Sequence, residues 1–184
     1  MSARTALGLL ESADARLSCI DIGAAGGILP TLDAIQPRAD IVGFDADSEE
    51  CARLAARSPR GGVRYLHAAL GRDGETVTLH IHANRQASSV YATEYSRVNS
   101  YYKPERFEKR GECTFTTESL DRACARYGLA GPDFIKIDVE GHELAVLEGY
   151  SGVPLAAEVE VYFHPWRKDV PLFDEVMANM RRRG

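Results

Sequence analysis

"FIKIDVEGHE", residues 134–143, places Phe134, Ile135, Ile137 and Val139 in a run the length of one buried strand. Lys136, Asp138 and Glu140 recur two apart, so a pleated strand projects all three from one face. Unpaired charge inside a sheet costs roughly several kcal/mol, so these groups must be matched or must reach a wet edge. A parallel strand that carries its acids out at its carboxyl end meets that condition, because ligands in open parallel sheets sit beyond those ends. On this reading Lys136 is structural and pairs with Asp138, Gly141 permits a turn, and His142 and Glu143 open a helix.

The stretches before it alternate. "LSCIDIGAA" (17–25), "ADIVGFDAD" (39–47) and "VRYLHAAL" (63–70) read as strands, separated by helix-like "ILPTLDAIQP" (28–37) and "SEECARLAARS" (48–58). Ser48 is the expected N-cap of the second helix, with Glu49 and Glu50 in its first turn. Such alternation predicts a βαβαβ parallel sheet. "ETVTLHIHA" (75–83) and "ECTFTTES" (112–119) suit antiparallel strands, expected beside "VRYLHAAL" at that edge of the sheet. The helices "SLDRACARYG" (119–128), "ELAVLEGY" (143–150) and "PLFDEVMANMRRR" (171–183) and the strand "AEVEVYFHP" (157–165) complete the pattern.

The 184 residues suit one domain, 1–184, with 83–112 as an inserted loop. A formal charge of −5 argues against a general nucleic-acid partner, and the basic run 181–183 reads as a helix end. Cys19, Cys51, Cys113 and Cys124 form no C-x-x-C pair, which points away from zinc and towards reduced thiols. "ALGLL" (6–10) is too short for a leader or a membrane span, so the expected location is cytoplasmic.

"DIGAAGG" (21–27) puts Asp21 at a strand end and glycines in the following turn, where backbone can approach a ligand closely. "GFDAD" (43–47) places Asp45 where a carboxylate can take both hydroxyls of a ribose. A plain tight turn with solvated aspartates is the structural alternative. The glycine spacing is not G-x-G-x-x-G, which disfavours a dinucleotide-dependent oxidoreductase. It matches the acid-x-Gly-x-x-x-Gly pattern of S-adenosylmethionine-dependent methyltransferases. The cofactor-binding set is then Asp21, Gly23, Ala24, Gly27, Asp45, Ala46 and Asp138.

Together, "DIGAAGG", "GFDAD", "SLDRAC" and "DFIKIDVEGHELAVLEG" resemble the FkbM-type methyltransferases over residues from about 17 to 165. The resemblance implies a Rossmann-like class I fold, S-adenosyl-L-methionine as cofactor, and methyl transfer to a hydroxyl, often on a sugar or polyketide. Ala25 stands where the family commonly places Asn.

Transfer of an activated methyl to a hydroxyl needs alignment and a proton acceptor. His142 is the first choice for that base, His164 the second, with Asp138 and Glu140 as the neighbouring carboxylates. Either histidine could instead serve a helix end or the backbone. A divalent cation on Asp138, Glu140 and a histidine is an open alternative that the spacing does not demand. In the insertion, Tyr91, Tyr95, Tyr101, Tyr102 and Phe107 can stack on a sugar, and Ser89 can bond one, so 83–112 is a candidate substrate lid. Local packing of a surface excursion is the plainer reading.

The expected partner is a small molecule or glycan. A catalytically silent S-adenosylmethionine-binding domain is the rival from the binding class. The class I fold commonly adds two strands after its fifth; here the final helix is followed by Gly184 alone. The expectation is a sheet lacking those strands, with 157–163 at an edge open to self-association or belonging to a shortened domain.

Overall fold

The computed structural model describes residues 3–58, 62–100 and 103–183, with side chains from residue 8 onward. Tyr101, Tyr102 and Gly184, named above, lie outside the described residues. In chain order the elements are α1 (Ala3–Ser12), β1 (Leu17–Ile22), α2 (Pro30–Asp33), β2 (Ala39–Asp45), α3 (Ser48–Arg57) and β3 (Val63–His67). There follow β4 (Thr76–His82), α4 (Tyr95–Val98), β5 (Lys109–Thr116), α5 (Leu120–Tyr127), β6 (Phe134–Ile137), α6 (Glu143–Glu148), β7 (Ala156–Val159) and α7 (Phe173–Arg183). Two compact units divide the chain: Met1–Ala68 with Cys124–Ile137 and Pro154–Glu158, and Ala69–Ala123 with Asp138–Val153 and Val159–Gly184.

The first unit is built on a sheet of strand order β3-β2-β1-β6-β7. β1 runs parallel to β2 and β6, and β2 runs parallel to β3. The register Asp21↔Lys136 sets those two side chains abreast on neighbouring strands. Cys19, Leu32, Ala39, Ile41 and Val63 form a buried cluster, against which Leu17, Ile28, Ile35, Tyr65 and Phe134 pack. Full burial of each large aliphatic among them contributes roughly 1.5–3 kcal/mol.

Several local expectations are corrected. The helix expected over 28–37 is only the single turn α2, followed by a 3-10 turn at Gln36–Arg38. Pro37 explains the stop, since it has no N–H to donate and its ring crowds the carbonyl of Asp33. The N-cap of α3 is Asp47, whose carboxylate accepts from the N–H groups of Glu49 (3.0 Å) and Glu50 (3.2 Å); Ser48 is the first helical residue.

β4 and β5 do not extend the main sheet beside β3. They pair with each other, antiparallel, from Thr76↔Thr116 to His82↔Lys109, with an irregularity between Ile81 and His82. Their partners are supplied by one another, so no main-sheet edge is needed to satisfy the ladder. β7 stands last in the sheet order, as expected for this stretch, but it stops at Val159. Beyond it Tyr162 makes an isolated bridge to Leu172, and its phenol donates to the Glu140 carboxylate at 2.8 Å.

In the second unit, α6 and α7 are tied by Arg183, which donates to the carbonyls of Leu147 and Tyr150 at the end of α6. The basic run therefore serves the carboxyl end of a neighbouring helix as well as its own. Gly149, just past α6, has no room for a side chain, because a Cβ there would lie 2.1 Å from the Gly71 carbonyl oxygen.

Candidate active site

In the first unit the turn after β1 holds Gly23, Gly26 and Gly27 at φ of 82°, 89° and 120°, a left-handed region that favours glycine. The amides of this turn are consumed internally. Gly23 and Ala24 donate to the Phe44 carbonyl (2.9 and 3.1 Å), Gly26 to Glu50 Oε1 (2.9 Å) and Gly27 to the Ala24 carbonyl (2.9 Å). Leu29 N–H donates to Asp21 Oδ2 at 2.7 Å. A pyrophosphate needs a row of amides aimed at it, and these are already bonded within the protein.

Asp21 is fully buried, and its Oδ1 lies 3.1 Å from the Lys136 ammonium, which also donates to the Gly23 carbonyl at 3.2 Å. Lys136 pairs with Asp21, a partner that spacing along one strand could not reveal, and the pair fixes the glycine turn. Asp21 supports the turn from beneath. Ala24 is also fully buried, and it fits because residue 43 is glycine: a Cβ there would lie 2.9 Å from Ala24 Cβ.

Asp45, the last residue of β2, is half-buried. Its Oδ1 accepts the Asp47 N–H at 2.8 Å. Burial pushes its carboxyl up, against the opposing hydrogen bonds from the Asp47 and Ala25 backbone. The Ala46 carbonyl lies 3.1 Å from His67 Nε2. Asp45 therefore presents a partly enclosed carboxylate at the carboxyl end of its strand, suited to a ligand that brings hydroxyl donors.

In the second unit, Asp138, Val139, Glu140 and Gly141 form the turn that precedes α6. Glu140 has φ of 56° and Gly141 108°, so a non-glycine residue is held in the left-handed region. Glu143, 2% exposed, folds its carboxylate back to accept the N–H groups of Val139 (2.9 Å) and Gly141 (3.0 Å). The final acid of the quoted stretch thus closes the turn. Burial raises the Glu143 carboxyl to about 7, in spite of those hydrogen bonds.

Between the ordinary 4.5 and about 7 the folded chain holds more proton than the unfolded one, so stability falls as pH rises through that window. Glu143→Gln keeps an oxygen for both amides and does not titrate. Its melting temperature, followed by circular dichroism from pH 4.5 to 7, is expected to vary less than the wild type's. An unchanged slope would contradict the assignment.

His142 is the N-cap of α6 and is buried, and among the described residues neither ring nitrogen has a hydrogen-bond partner. Nε2 faces Gly71, where a Cβ would come within 2.6 Å, and the Tyr91 ring is 6.3 Å away, tilted. Burial lowers the imidazole pKa, with Glu75 opposing and Arg72 assisting, which keeps it neutral at pH 7. Leaving buried polar atoms unpaired costs about 1–3 kcal/mol each. His142 is held in an uncompensated setting, and such settings concentrate at functional sites.

Ser89, buried, donates to the Glu140 carbonyl at 2.5 Å and accepts the Tyr91 N–H at 3.0 Å. Tyr91 is half-buried against Gly141. Tyr95 is exposed, and its phenol donates to the Phe107 carbonyl at 3.0 Å. His164 is exposed, in the irregular chain beyond β7, so the strand expected to present it is absent there. The second unit gathers Ser89, Tyr91, Glu140 and His142, and leaves Tyr95 and His164 outside that group.

Two residues escaped the sequence reading. Glu160 hydrogen-bonds Asp138, and its carboxyl is pushed up by burial and by the crowding of Asp138, Glu140 and Glu143. The recurrence of Glu158 and Glu160 in "AEVEV" was the available signal. Arg167, 2% exposed, donates to Glu140 Oε2 at 2.5 Å. Nothing in "PWRKD" distinguishes it from a solvated arginine in a turn. Among the described residues, no three His, Cys, Asp or Glu side chains are gathered as a metal-ligand set, and no helix is long and apolar enough to cross a membrane.

A mostly parallel sheet flanked by helices, with a glycine turn after its first strand and an acid closing its second, defines the Rossmann-like methyltransferase class. The family model of the methyltransferase FkbM domain matches residues 21–184, and the chain belongs to that family. No curated protein and no solved structure matches the chain.

Proposed function

We propose that the chain is an S-adenosylmethionine-dependent O-methyltransferase acting on a hydroxyl of a saccharide or related small metabolite. The observation that carries this reading is His142, buried and neutral, with both ring nitrogens unpartnered among the described residues, directly after the 138–141 turn. The turn 23–27 and Asp45 support the choice of donor. The turn amides are spent inside the fold, and the half-buried carboxylate of Asp45 has the chemistry to accept ribose hydroxyls.

When bound, the sulfonium supplies an activated methyl group. Asp45 would take the ribose hydroxyls, the backbone of Gly23, Ala24 and Gly27 would line the donor, and Ala46 would border it. Asp21 would act from below, through its grip on Leu29 and Lys136. His142 would accept the proton of the acceptor hydroxyl. Tyr91 offers a ring face for stacking beside it, Ser89 fixes Tyr91 through its backbone, and Tyr95 and His164 are left at the periphery.

Incubation with methyl-labelled S-adenosylmethionine and a panel of mono- and oligosaccharides tests this reading. The expected result is label on an acceptor oxygen with stoichiometric S-adenosylhomocysteine. Donor binding without transfer to any member would favour the silent binding domain instead.

A further inference from the structure

Arg167 lies where three segments of the second unit converge. One of its terminal nitrogens, Nη2, donates both to Glu140 Oε2 (2.5 Å) and to the Ala87 carbonyl (2.9 Å). Its Nε reaches the Tyr162 phenol at 3.4 Å, and that phenol donates to the same Glu140 oxygen. The backbone repeats the attachment. Glu94 N–H donates to the Trp166 carbonyl and Lys168 N–H to the Ala92 carbonyl, each at 2.8 Å. Ser89 then bridges the Glu140 carbonyl and the Tyr91 N–H, and Tyr91 stands against Gly141 and His142.

We infer that Arg167 is a positioning residue that clamps the 87–91 strap onto the 140–142 turn and so sets the enclosure of His142. Three features require such a clamp. Glu140 is held at a positive φ, which needs surrounding structure to over-determine it. Beyond the 3-10 turn at Arg85–Ala87 the strap carries no helix or strand, and its backbone pairs with that of β4 in a single bridge, Ser89 to His80. The groups around His142 are Tyr91 from the strap, Gly71 from the segment between β3 and β4, and the charges of Arg72 and Glu75. Of these, only Tyr91 belongs to the strap that Arg167 fastens.

The catalytic meaning of the clamp rests on the base role proposed for His142, but the clamp itself is testable without turnover. Arg167→Met leaves Glu140 as an unpaired charge and is expected to lower the melting temperature. The double variant Arg167→Met, Glu140→Gln removes both charges and should recover most of that loss. A purely structural ion pair predicts that everything returns with the stability. A clamp predicts that the His142 titration midpoint, read by NMR at Cε1–H, stays raised towards the ordinary histidine value in the double variant. The Ala87 tether is still missing there, so water reaches the ring.

A wild-type midpoint in the folded double variant would overturn the proposal. Wild-type hydrogen exchange decides the matter if the variants do not fold. The amide of Tyr91, held by Ser89, should open with the same protection as those of Val139 and Gly141. Faster opening of Tyr91 alone would show that the strap is not clamped.

Discussion

His142→Leu is expected to reduce methyl transfer by ~10²–10⁴-fold, the usual span for loss of a general base, while S-adenosylmethionine binding is kept. The structure sharpens this expectation with a second observable. The imidazole is buried with both nitrogens unpaired among the described residues, so replacing it by an apolar group of similar size removes an uncompensated polar load. The variant should therefore melt no lower than the wild type. Loss of turnover without loss of stability marks a group kept for chemistry. Near wild-type turnover at neutral pH would remove His142 from the mechanism and shift attention to the Asp138–Glu160 pair.

Asp45→Asn is expected to weaken S-adenosylmethionine binding by roughly 10- to 150-fold, equivalent to about 1.5–3 kcal/mol for a lost charged hydrogen-bond partner. Asparagine is the informative choice because Asp45 also accepts the Asp47 N–H, a bond that an amide oxygen can retain. Alanine would loosen the turn as well, confusing affinity with fold. Calorimetry on the folded variant checks the number, and unchanged affinity would refute the ribose assignment.

What the sequence disclosed is what short-range pattern can carry. Apolar runs bounded by glycines located β1, β2, β3 and β6 and their parallel order, because each is a buried strand with a crossover before the next. The hallmark stretch located the turn and its histidine. Spacing could not reveal partners that come from elsewhere in the chain. Lys136 finds Asp21 on the next strand, and Arg167 finds Glu140 across the second unit, neither of which leaves a local signature. Competition between neighbours defeated two other readings. Asp47 outbid Ser48 for the cap because its carboxylate reaches two amides, and Pro37 cut the helix expected over 28–37. The strand expected to run to His164 ends at Val159, where Tyr162 turns to Glu140.

Calorimetric titration of the wild-type chain with S-adenosylmethionine, set against the same titration with NAD, tests the account most directly. The account predicts saturable one-to-one binding of S-adenosylmethionine and no heat with NAD, because the amides after β1 are already bonded within the protein. Saturable binding of NAD, with none of S-adenosylmethionine, would contradict it.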